Sequence, residues 1–200
     1  PAGSTVVKAI LYVEEYASAA SMRLTGVNFK VPGGAYVNLN TASAGFIANP
    51  ITNTYTQFII DVTSLMPAGG YVSTLTAGGN AATTGRYSVA DPLPFDNSTS
   101  NYGTGWALYV VYDNPTAKFR NVTIADRCGD LPIGTPVTFT VNNISVPSCG
   151  AVGAVVAMTG SWGDPGALYT VNVKFGIAGG ALTALADPKT GATNKPLEST

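Results

Sequence analysis

Glu14 and Glu15 form the best adjacent carboxylate pair in the chain. Paired carboxylates hydrolyse glycosidic bonds when one protonates the leaving oxygen and the other acts as base or nucleophile. These two fall at the end of a run with period-two patterning, where neighbouring side chains point to opposite faces and cannot flank one bond. The chain has no histidine, which removes Ser-His-Asp and Cys-His catalysis and imidazole metal sites. Two cysteines cannot close a zinc site, and no glycine-rich loop follows a strand and opens a helix to cradle phosphate. The aspartates of "ADPLPFDN" and "WGDPG" lie in loops of the kind that supply oxygen ligands to Ca²⁺. They lack EF-hand spacing and read as turn formers. The expectation is a protein with no catalytic residue, no cofactor and no metal, and not an enzyme.

Other residues carry chemistry of a different kind. Lys8 sits in mid-run among Val6, Ile10 and Tyr12. A lysine there either extends its stem to bring the ammonium into water, or is held neutral by burial beside an acid and forms a covalent Lys–Asn or Lys–Asp crosslink. Cys128 and Cys149 are either two buried thiols or a disulfide. Both flank Gly or Pro turns, "RCGD" and "VPSCG", at opposite ends of one strand-and-loop unit, and this favours the disulfide. Closing a loop of that size contributes about 3 kcal/mol and implies an oxidising compartment. Three N-glycosylation sequons begin at Asn97, Asn121 and Asn143. Asn97 lies in the Gly/Ser loop "FDNSTSNYGTG", and Asn121 alternates with apolar residues and should face solvent.

The balance of the composition narrows the partners. Of 200 residues, 46% are hydrophobic but only 10% are charged, against a usual charged share of about 25%. A net charge of −1 offers no basic face to a nucleic acid. No apolar run reaches the ~18 residues that span a bilayer as a helix. A chain starting at Pro1 rather than Met is what removal of a leader leaves, as would any other cut, and a secreted protein is the expectation.

The elements that position these residues are strands. "STVVKAILYVEEY" puts Val7, Ala9, Leu11 and Val13 on one face and Val6, Lys8, Ile10 and Tyr12 on the other. Val27, Phe29 and Val31 alternate with polar neighbours before the turn "PGG" and a strand holding Tyr36, Val37 and Leu39. In "TYTQFIIDVTSLM", Phe58, Ile60 and Val62 share a side, and Asp61 is placed to cap the short turn that follows. "GGYVSTLTAGG" and "GRYSVADPLPF" follow. "GTGWALYVVYD" is apolar on both faces, as a central strand covered on each side would be. "DNP" turns it, and "KFRNVTIAD" returns with Val122 and Ile124 inward. "TPVTFTVNN" (Val137, Phe139, Val141 inward), "GAVGAVVAMTGSW" and "ALYTVNVKF" complete about ten strands. The expected fold is all-β: an antiparallel two-layer β-sandwich, jelly-roll or immunoglobulin-like, over residues 1–176, with an extended tail over 177–200 that is favoured over the amino-terminal strand as the link to a neighbouring subunit.

Several of these motifs, taken in order, resemble the β-rich conserved-repeat modules of large secreted surface proteins of bacteria and archaea. They are "KAILYV", "FIIDVTSLM" before "GGYV", "GTGWALYVVYDNPTAKFRNVTIAD" and "WGDPG", spread over residues 6–175. The resemblance implies a secreted adhesive or structural module and transfers no active-site residue. A short module acting by itself points to repetition, and few charges suit burial against copies of itself. The leading expectation is therefore a structural subunit of a cell-surface filament, pilus-like fibre or surface layer, a homopolymer joined by strand addition. A carbohydrate-binding or adhesive module, with Tyr16, Tyr36, Tyr87 and Tyr102 as candidate contacts for a glycan, is one alternative. A viral capsid protein is the other.

Overall fold

The computed structural model describes residues 4–16, 26–43, 45–50, 55–67, 86–90, 103–118, 120–126, 136–142, 144, 173–176 and 179–185. Cys128, Cys149, Asn97 and Asn143 lie outside them, as does the strand expected over "GAVGAVVAMTGSW". The chain divides into two compact units, Pro1–Pro136 and Val137–Thr200.

The first unit holds two antiparallel sheets. One has the order β4 (Phe46–Pro50), β5 (Tyr55–Asp61), β1 (Thr5–Tyr16), β7 (Gly103–Asp113). The other has the order β3 (Tyr36–Asn40), β2 (Gly26–Lys30), β6 (Ser88–Ala90). The fold is all-β, with a single 3-10 turn at Thr63–Leu65 as the one helical element among the described residues. One hydrophobic core draws on both sheets. Ala9, Leu11 and Val13 come from β1, Val27 and Phe29 from β2, Leu39 from β3, and Phe58, Ile60 and Val62 from β5 and its end. Burying each large apolar side chain is worth about 1.5–3 kcal/mol, so this cluster dominates the stability of the unit.

Local chemistry explains the connections. Between β2 and β3 the amide of Gly34 donates to the carbonyl of Val31 at 3.0 Å, with Gly33 at φ +73°. Pro32 presets the first central position and Gly33 supplies the positive φ of the second, a type II turn. After β5, Asp61 Oδ1 accepts from the Thr63 amide (3.0 Å) and from the Thr63 hydroxyl (2.6 Å), which starts the 3-10 turn as the sequence suggests. The same hydroxyl oxygen accepts from the Ala9 amide at 2.9 Å and ties the turn to β1. After β7 the buried Asn114 takes the amide and hydroxyl of Thr116 on its Oδ1 and donates through Nδ2 to Ser4 Oγ at 2.8 Å. "DNP" is thus a side-chain-braced turn.

Four expectations change. First, Val7 does not join Ala9 and Leu11. The register steps from Val6↔Tyr112 to Lys8↔Val111, so Val7 is the extra residue of a β-bulge and is 59% exposed. The bulge moves Val6 to the core side, where it packs on the cluster. Second, the strand expected to be central, β7, ends its sheet among the described residues, and β1 lies between β5 and β7 instead. Third, the described parts of "KFRNVTIAD" and "TPVTFTVNN" form no ladder, and Val122, Val137 and Phe139 are exposed. Fourth, β4 carries no alternation in the sequence strong enough to mark it, and is held by its pairing with β5.

In the second unit the described strands are β8 (Lys174–Gly176) and β9 (Leu182–Ala184), a two-stranded antiparallel pair whose strand residues are all exposed. β9 comes from the segment expected to be an extended tail.

Candidate functional site: the groove beside β7

β7 places Trp106, Leu108, Val110 and Tyr112 on the face that β1 uses for Val13, Leu11, Ala9 and Val6, since these are the direct cross-strand pairs. Leu108 and Val110 lean on the core, while Trp106 and Tyr112 are 46% and 43% exposed. With Tyr87, just ahead of β6, and Ala107 they line an open groove of about 530 Å³. Tyr87 is anchored by stacking on Phe29, with ring centroids 6.2 Å apart and planes 20° from parallel. β6 and β7 are each the last strand of their sheets among the described residues, so the groove runs where both sheets stop. Among the described residues no charged side chain lines it. An edge strand with unmatched amides and carbonyls beside an apolar row is a template for another strand. Among the described residues its lining holds aromatic and aliphatic side chains only.

The opposite face of the first sheet is polar at its margins. Tyr12 donates to Asp126 Oδ1 and meets Tyr109 edge-on, with centroids 5.4 Å apart. Burial first, then the bond to Asp126 and its negative charge, push the Tyr12 phenol far above its ordinary range, so it stays neutral as a donor. Lys8 Nζ donates to Asp61 Oδ2 at 2.6 Å. Burial alone raises the Asp61 pKa, but the bonds from Lys8 and Thr63 and the Lys8 charge outweigh it and bring it down to about 2. Both partners are well exposed, which matches the solvent-reaching lysine.

The glutamates separate as the alternation requires. Glu14 accepts from Gln57 Nε2 at 2.9 Å on one face, and Glu15 is buried on the other. They form no catalytic pair. Among the described residues no group of His, Cys, Asp or Glu is arranged to hold a metal. Asn121 is exposed, together with Val122 and Thr123 of its sequon. Of the tyrosines named as glycan contacts, Tyr87 lines the groove. Tyr36 is exposed on β3 with Lys30 Nζ 5.6 Å from its ring centroid. Tyr102 lies outside the described residues. The groove itself escaped the sequence reading, because alternation reports the two faces of a strand and not whether a neighbour pairs with its edge.

No protein-family model, no curated protein and no solved structure matches this chain. No helix among the described residues is long and apolar enough to cross a membrane.

Proposed function

We propose that this chain is a structural subunit of an extracellular cell-surface assembly, a filament, pilus-like fibre or surface layer, whose copies join by strand addition. In this reading the two sheets of the first unit are layers of a sandwich that presents an open side to the next copy. The observation that supports it is the edge of β7, where Trp106, Leu108, Val110 and Tyr112 line an uncharged groove. An added strand satisfies the edge amides and carbonyls and seats alternate side chains in the groove. The sequon at Asn121, the two cysteines and the low charge accord with an extracellular home. The test is a concentration series of the purified protein followed by light scattering and electron microscopy. Wild type should form regular assemblies. The double variant Trp106→Lys, Tyr112→Lys, altered only at exposed positions, should fold and remain monomeric. A wild-type protein that stays monomeric at every concentration sinks the proposal.

A second reading is an adhesive module binding glycans, favoured by three aromatic side chains, Tyr87, Trp106 and Tyr112, in one open groove. Sugar rings stack on such surfaces. Quenching or shifting of tryptophan fluorescence by neutral oligosaccharides, in a protein that stays monomeric, would favour it over the first.

A further inference from the structure

We infer that the strand received by the β7 groove is β9 of a second copy, which brings β8 with it as a hairpin; this rests on the assembly reading above. The hairpin has a physical problem of its own. Both strands are exposed along their length, including the large apolar side chains Phe175 and Leu182. A two-stranded pair is marginal in water and needs a third strand or a covered face. Its register sorts its side chains into two different faces. Phe175 pairs with Thr183, and the Leu185 amide donates to the Val173 carbonyl at 2.8 Å, so Val173, Phe175, Thr183 and Leu185 share one uncharged face. Lys174, Gly176, Leu182 and Ala184 form the other, which carries the ammonium.

The uncharged face suits the uncharged groove, because docking it desolvates no ion. The reach also agrees. β9 with one flanking residue on each side, Ala181 to Leu185, matches in length the stretch Leu108 to Tyr112 of β7, about 13 Å at ~3.3 Å per residue. β9 has β8 on one edge and, among the described residues, nothing on the other. β7 has β1 on one edge and, among the described residues, no strand on the other, where the groove lies. Joining the two open edges extends a two-stranded and a four-stranded sheet into one, and the contact is head-to-tail, since donor and groove are different parts of the chain. Such contacts propagate without closing on themselves unless the rotation forms a ring.

Neighbouring residues on β9 make the test. Thr183 and Leu182 are both exposed but face opposite ways. Thr183→Lys puts a charge towards the groove and should raise the onset concentration of assembly about tenfold or more, whereas Leu182→Lys should leave it within about twofold. The Thr183→Lys copy keeps its groove, and the Trp106→Lys, Tyr112→Lys copy keeps its hairpin. Mixed one to one, two proteins that are each monomeric should give a heterodimer that grows no further, as read by analytical ultracentrifugation. If Thr183→Lys assembles like wild type while the groove variant does not, the donor is another strand and the inference is overturned with the assembly reading intact. Equal losses from Leu182→Lys and Thr183→Lys also overturn it. If wild type never assembles, both fall.

Discussion

β1 and β7 run side by side, yet the apolar faces they share across the ladder are covered to different degrees. Leu11 and Leu108 are direct cross-strand partners. Leu11 is fully buried, while Leu108 is only partly so. The difference is position in the sheet. β1 has β5 and β7 on its two sides and the second sheet over its core face, whereas β7 has a described neighbour on one side alone. Side-chain chemistry of this kind makes a strand. Where it lies in the order of strands decides how fully that chemistry is covered.

The sharpest way to break this comparison is to truncate both partners of one pair. Leu11→Ala leaves a cavity in a closed core and should cost about 3–4 kcal/mol in urea unfolding. Leu108→Ala removes a side chain that is only partly buried and should cost less, about 1–2 kcal/mol. Equal losses would mean that β7 is as well covered as β1.

Next in size is Tyr12→Phe. It deletes the donor to Asp126 while keeping the ring against Tyr109, and should lower stability by about 1 kcal/mol. Ultraviolet titration of the folded protein should show one phenol ionising far above the ordinary tyrosine range, absent in Tyr12→Phe, because burial and Asp126 both oppose its charge.

The Lys8–Asp61 pair should contribute less, about 0.2–1 kcal/mol, since both partners are well exposed. The Asp61 pKa falls from 3.8 unfolded to about 2 folded, so this contribution is complete above the unfolded value. It is lost as pH falls through the folded value. The gap in stability between wild type and Lys8→Met should therefore close between about pH 4 and pH 2, and added salt should narrow it at neutral pH. A gap unchanged at pH 2 would show that the lysine acts through its stem. The smallest expected effect is that of Trp106→Lys on folding, within about 0.5 kcal/mol, because its site is exposed before any partner arrives.

Much of β1, β2 and β5 was legible in the sequence, because Ala9, Leu11, Val13, Val27, Phe29, Phe58 and Ile60 alternate with polar or surface residues and one rule places them all. The turns at Pro32–Gly33 and Asn114–Pro115 were legible for the same local reason, as was the bond from the Thr63 amide to Asp61. The bulge at Val7 was not, since it exists only relative to the register on β7, about a hundred residues further on. Nor was the bond from Tyr12 to Asp126, which joins residues 114 apart. Val122 and Ile124 alternate as a strand would, but alternation does not supply the ladder partner that a strand also requires.

The place of β1 also bears on how the unit carries load. Its hydrogen bonds to β5 and β7 run across the strand, so a pull along the chain from the amino end loads both ladders in shear. Many bonds on two sides must then slip together before the strand moves. A pull on β7 directed away from β1 and across the strands instead unzips one ladder a bond at a time. A chain of such units would resist tension along β1 far better than it resists peeling at β7.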